Sequence, residues 1–332
     1  MNALLQAVRS VDLRIYYSLS CFADNRDLCR LARLEEGNNL LKGGIFFALF
    51  WGQWFRREAD QEKRRRAIVA ILIGAVLAII ASRTVAFIVP FRIRPMDDPT
   101  IIHPVYSVHF EYNLIHWSSF PSDTAAYFFA LAFGLAYLSR RIAIPILLYT
   151  AGWVCLTRMF LGVHYASDIA VGLVIGLAMV WLSIRSDLVQ LHLVQPAVTV
   201  MNTGRSWFYP MAFLVSFEMA TVFEGLRSLG NAVIHAAASG LHLGSVRTNL
   251  NRPIGVWGGL VVTVALLVAA FYVSSVLSTK IRAVPGISHN LAGHFHLPRP
   301  ASVRAKQDGP DKPQLAETPK WPHQRLDKRL AQ

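Results

Sequence analysis

"AIVAILIGAVLAIIASRTVAFIVP", residues 67–90, is apolar almost from end to end, broken only by Ser82, Arg83 and Thr84. An α-helix needs roughly 20 predominantly apolar residues to cross the hydrocarbon of a bilayer, and this run supplies them. Working outward, further apolar windows follow at Leu40–Phe55, Ala125–Leu138, Ile142–Leu161, Ile169–Ile184, Trp207–Phe223 and Ile254–Leu277. The windows at 40–55 and 125–138 are short for a span. The full chain of 332 residues is 54% hydrophobic and only 16% charged. Together these features predict an all-α, polytopic membrane bundle of about six or seven transmembrane helices.

The formal charge is +13. In a soluble domain that excess would suggest nucleic acid, but here it sits in short loops and a tail, with no nucleic-acid-binding signature, so no nucleic-acid partner is expected. "RREADQEKRRR", residues 56–66, and the pair Arg140 and Arg141 mark cytoplasmic loops under the positive-inside rule. Alternating the spans from there places residues 91–121 and 156–168 together on the outer face. Cys21, Cys29 and Cys155 show neither metal-site nor thioredoxin spacing.

Residues 1–38 carry apolar positions at helical spacing among scattered charges, and are expected to lie as amphipathic helices at an interface. The membrane core spans 39–184, and 185–253 holds a loop, "HLVQPAVTVMNTGRSWFYP", and a doubtful span. A last transmembrane helix is expected at 254–278. The segment 279–332 is basic and proline-rich, with the composition of a disordered tail suited to anionic lipid headgroups.

Three polar clusters fall on the outer face. "PFRIRP" holds Arg92 and Arg94, "SSFPSDTAA" opens the run at 125, and "LTRMFLGVHYASD" joins two apolar runs. In the last, His164 and Asp168 are four apart, so on a helix a carboxylate can orient the imidazole, while Arg158 offers a planar donor fork suited to phosphate. The same three residues also fit an interfacial histidine beside a snorkelling arginine. Pro121 and Ser122 start a helix whose positive end suits an anion. Several donors converging outside the hydrocarbon point to phosphate.

Arg94-Pro95, then Pro121-Ser122-Asp123, then Arg158, His164 and Asp168 resemble the three-part signature of the type 2 phosphatidic acid phosphatase superfamily, most strongly over residues 83–184. The resemblance implies a lipid phosphatase needing no metal or other cofactor. His164 would attack phosphorus and form a phosphohistidine, with Asp168 orienting it. Arg94, Arg158 and Ser122, with Arg92, Arg83, Asp123 and Thr124 around them, would hold the phosphate oxygens. Two positions depart from the pattern: the family's lysine, seven residues before the arginine, is Phe87 here, and the histidine closing the second motif is Thr124. Arg83 or Arg92 can replace the first; His103, His109 and His116 are candidates for the second.

The missing acid favours a substrate whose leaving group needs little protonation, because a phosphate leaves more readily than an alkoxide. The expectation is therefore a membrane hydrolase of undecaprenyl or a related polyprenyl diphosphate, at the outer face of a bacterial-type plasma membrane. The alternatives are a phosphotransferase passing the group to a lipid or sugar acceptor, and a catalytically inactive lipid-phosphate binder. A transporter fits less well, because the charges gather at one face. A metal site from His103, His109, Glu111 and His116 matches no compact template.

Overall fold

A computed structural model describes residues 2–57, 59–102, 117–226 and 228, and every regular element among them is helical. In chain order these are α1 (Asn2–Ser20), α2 (Arg26–Gly37), α3 (Ile45–Phe55), α4 (Gln61–Ile88), α5 (Asp123–Leu138), α6 (Arg140–Tyr149) and α7 (Leu156–Phe160). After them come α8 (Ala166–Arg185), α9 (Asp187–Val189), α10 (Gln195–Thr203) and α11 (Arg205–Ala220). Wider π-type turns at Leu40–Gly44, Thr150–Cys155 and Gln190–Val194 precede α3, α7 and α10. The middle one follows Pro145, whose missing N–H disturbs the regular ladder.

Three helical stretches are long and apolar enough to cross a bilayer: Gln61–Ile88, Arg140–Phe160 and Ala166–Arg185. Asp123–Leu138 is a shorter apolar helix. The expected count of six or seven is thus not reached among the described residues. The predicted span at 254–278 and tail at 279–332 lie outside them, as do His103, His109, Glu111 and His116.

The core is built on α4, α5 and α8. Gly172 and Gly176 of α8 face α5 so closely that a Cβ at Gly176 would stand 2.4 Å from the Ala126 carbonyl oxygen. Small residues four apart let two backbones meet, which is how helices gain dispersion contact where lipid offers no hydrophobic drive. Val174, Leu177 and Trp181, on the other side of α8, are exposed. Ile71, Ala75, Tyr127, Phe128 and Leu131 are fully buried between the helices, joined by Phe46 of α3.

This packing sets the two ends of the bundle apart. Arg64, near the start of α4, donates to the carbonyl of Leu138 at the end of α5 (3.1 Å) and to Gln53 (2.7 Å). Arg83, near the other end of α4, meets Asp123 at the start of α5. The basic loops therefore gather at one end and the three polar clusters at the other.

One expectation is corrected. The stretch from 192 to 210, expected as a loop, is largely helical: Val194, Val198 and Met201 are buried at helical spacing, and Pro196 sits in the first turn of α10, where no N–H is needed. Gly204 separates α10 from α11, and α11 covers the doubtful span. The N-terminal segment is helical, with Leu4, Leu5, Val8 and Val11 exposed on α1. It also sends Asp12, Glu35 and Glu36 inward, which the amphipathic pattern did not indicate.

Candidate active site

Each motif is placed by a helix end. Ser122 caps α5, its Oγ accepting from the Ala125 N–H at 3.2 Å. Tyr165 begins α8, and Asp168 reaches back to accept from the Tyr165 N–H at 2.8 Å. The Ser122 N–H donates to the Asp168 carbonyl at 3.1 Å, tying the two helix starts together. Gly162, at φ +70°, makes the left-handed turn that ends α7 and accepts from the Met96 N–H at 2.9 Å.

His164 lies in the middle of this junction, 2% exposed. Its Nδ1 is 2.9 Å from the Ser119 carbonyl oxygen, which can only accept, so Nδ1 carries the proton. Nε2 is then the unprotonated nitrogen, and it is buried with no hydrogen-bond partner. Burial drives the imidazole pKa down to about 4; Asp168 opposes that shift, and the Arg94 and Arg158 cations add to it.

The expectation that Asp168 directly orients the imidazole is corrected: its Oδ2 is 3.8 Å from Nδ1, beyond hydrogen-bond range. Asp168 instead holds the shell around the histidine. It accepts from the Ser119 hydroxyl (2.6 Å), the Tyr165 N–H and Arg92 (2.5 Å). Its influence on the ring is electrostatic, and its grip on Ser119 is the mechanical link.

Arg94 is buried against both sides of the histidine's neighbourhood. It donates to the carbonyls of Val163 (2.8 Å) and Ser118 (3.4 Å), and its buried Nε has no partner. Burial beside Arg158 lowers its pKa to about 10, still a cation at neutral pH. Arg158 donates to Glu36 of α2 at 2.6 Å, and Lys42 binds the other oxygen of the same carboxylate at 2.8 Å. Burial works to raise the Glu36 carboxyl, but the Arg158 and Lys42 cations outweigh it and bring it down to about 2.

The remaining expected phosphate ligands are engaged elsewhere. Arg92 bridges Asp168 and Asp12 and lies 4.0 Å over the Tyr165 ring. Arg83 pairs with Asp123 and stacks 4.6 Å over Trp117. Asp123, an acceptor held by that pair, offers phosphate no side-chain donor. Thr124 is half-buried, its N–H taken by the Asp123 carboxylate at 2.8 Å. Phe87, where the resemblance led to a lysine, is 57% exposed on the outside of α4.

A buried histidine with one nitrogen locked and the other unpartnered, beside two arginines, has the chemistry a nucleophile facing an anion would need.

Residues 89–189 match the PAP2 superfamily.

The matched segment contains all three motifs and ends just beyond α8. No curated protein and no solved structure matches the chain. The family match supports phosphatase or phosphotransferase chemistry on a lipid phosphate.

Sequence reasoning missed Asp12, Glu36, Lys42 and Ser119. Ser119 stood inside a motif already singled out, and its tandem with Ser118 was the available signal. Asp12 and Glu36 had none, because they reach the site from helices that read locally as amphipathic and charged.

Proposed function

We propose that the protein is a membrane lipid phosphatase acting through a phosphohistidine at His164, with a polyprenyl diphosphate such as undecaprenyl diphosphate as substrate. The observation that carries this reading is the state of His164: Nδ1 fixed on the Ser119 carbonyl, Nε2 buried and without a partner.

The Nε2 lone pair attacks phosphorus, the bond to the leaving oxygen breaks, and its electrons depart with that oxygen. The ring becomes a cation, retaining the Nδ1 proton, and Asp168 at 3.8 Å favours that charge. Arg94, and Arg158 after exchanging Glu36 for the substrate, neutralise the equatorial oxygens. Water then attacks phosphorus, the P–N electrons return to Nε2, and the water's proton leaves with inorganic phosphate.

The diphosphate preference rests on Thr124, whose hydroxyl is no acid near neutral pH. A monoester must expel an alkoxide, whereas a diphosphate expels a phosphate with a second pKa of about 6. The exposed apolar faces of α8 and α1 suit a substrate that enters from the lipid, with its phosphate at the headgroup level. With the basic end of the bundle on the cytoplasmic side, this site faces outward.

The test is phosphate release by the full-length protein in detergent, from undecaprenyl diphosphate and phosphatidic acid side by side. Release from the diphosphate, lost in His164→Ala, supports the reading. Activity on phosphatidic acid alone contradicts the substrate. Activity that survives His164→Ala contradicts the nucleophile. Consumption of substrate only when an acceptor lipid is added identifies a phosphotransferase.

A further inference from the structure

Asp12 is 2% exposed, although it sits on the first helix of the chain, far outside residues 89–189. Its Oδ1 accepts from the Ser167 N–H at 2.9 Å, and its Oδ2 accepts from the Ser167 hydroxyl and from Arg92, both at 2.6 Å. Arg92 spends its other terminal nitrogen on Asp168 at 2.5 Å and on the Ser167 hydroxyl at 2.8 Å. Asp168 in turn holds the Ser119 hydroxyl, and the Ser119 carbonyl holds His164. A continuous chain of contacts thus runs from α1 to the imidazole.

The charges along that chain matter more than its length. Arg92 directly against Asp168 would cancel that carboxylate, leaving a pair of zero net charge. Asp12 on the far side of Arg92 restores a net charge of about −1 to the array of two carboxylates and one guanidinium. A net negative array favours a ring that turns cationic as the P–N bond forms. It does so inside a junction where burial and two arginines otherwise disfavour that cation.

We infer that Asp12 is a positioning residue for the reaction at His164, acting through Arg92 to keep the Asp168 array negative. The inference rests on the phosphohistidine reading. The helix that carries Asp12 is fixed where this role requires it: Tyr16 packs with Tyr165 and Ile101, and Arg9 lies 3.9 Å from Asp98. Leu4, Leu5, Val8 and Val11 of the same helix are exposed.

Charge and mere anchoring give opposite outcomes in a pair of variants. Asp12→Asn removes the negative charge and is expected to lower kcat on the diphosphate by about tenfold, the size of a one-unit change in the ring's protonation energetics, with KM little changed. Adding Arg92→Gln returns the array to its original net charge, and kcat is expected to recover toward wild type although the contacts of Arg92 with Asp168, Ser167 and Tyr165 are lost as well. If Asp12 only fastens α1, the double variant is as slow as Asp12→Asn or slower, and the inference fails. Asp12→Glu, which keeps the charge, is expected to lie between wild type and Asp12→Asn. Should Asp12→Asn not fold, the charge-matched double variant decides alone: kcat within about tenfold of wild type supports the role, and a loss beyond about a hundredfold overturns it. His164→Ala run beside them separates the two claims. An active His164→Ala sinks the phosphohistidine reading, whereas an inactive His164→Ala with an unimpaired Asp12→Asn sinks only the role of Asp12.

Discussion

His164 is oriented by the backbone of Ser119, with Nδ1 2.9 Å from that carbonyl oxygen. A carbonyl cannot be removed by side-chain substitution and cannot take the proton, so the tautomer needed for attack is built into the fold. Asp168→Asn therefore leaves the ring aimed but takes away the nearby charge. It is expected to lower kcat by about a hundredfold, less than the loss of about a thousandfold or more in His164→Ala. Steady-state phosphate release from the diphosphate measures both, and equal losses would show that Asp168 does more than the geometry implies.

The low pKa of His164 sets an acid limit. The nucleophile is the neutral ring, so activity is full above the folded pKa and falls as pH drops through about 4. An unperturbed histidine would begin to fail near pH 6.5. The kcat/KM profile of the diphosphate reaction is expected to stay flat from pH 7 to about 5 as far as this group is concerned. An acid limb near 6.5 assigned to His164 by its ring resonances would contradict the buried, neutral state.

Glu35 is 0% exposed and neither of its carboxylate oxygens has a hydrogen-bond partner. Burial pushes its pKa up to about 7, against the pull of Lys42. Because the folded value is above the unfolded one, the stability tied to its proton is complete below about 4.5 and is lost as pH rises through about 7. Glu35→Gln keeps the shape and cannot ionise. Its Tm is expected to match wild type near pH 5 and exceed it by several degrees at pH 8, read by thermal melts in detergent.

Much of this was legible in the sequence, for identifiable reasons. The run at 67–90 and those around 125–184 exceed or approach membrane length, so their helices follow from composition. Arg94, Arg158 and His164 sit in short polar interruptions between them, where there is little alternative for a charge. Asp12 and Glu36 were not legible, because their meaning lies in contacts across 155 residues to Ser167 and 122 residues to Arg158. Arg92 and Arg83 looked like phosphate ligands by type alone, and only the positions of Asp12, Asp168 and Asp123 show them already paired. The helix at 195–203 hid behind Pro196, which marks a helix start as readily as a loop.

The close approach of α5 and α8 carries a packing consequence. Gly176→Ala places a methyl 2.4 Å from the Ala126 carbonyl oxygen, a contact that backbone must yield to. A loss of about 1–3 kcal/mol is expected, with lower yield of folded protein, whereas Val174→Ala on the exposed face of the same helix should change little. Equal stability of the two variants would argue against this helix pairing.

Thr124→His supplies a group able to protonate an alkoxide at the start of α5. It is expected to raise phosphate release from phosphatidic acid by about tenfold or more while leaving the diphosphate reaction within a few-fold of wild type. Unchanged monoester activity would mean that position 124 does not face the leaving group.

The central claim is that His164 carries the phosphoryl group, and trapping that intermediate tests it most directly. The full-length protein is mixed with diphosphate lipid labelled in its terminal phosphorus, quenched within one turnover in alkali, and digested. Label on the peptide containing His164, stable to alkali, released by acid and absent from His164→Ala, is the expected result. Rapid turnover of the lipid by wild-type protein with no label on that peptide at any quench time would contradict it.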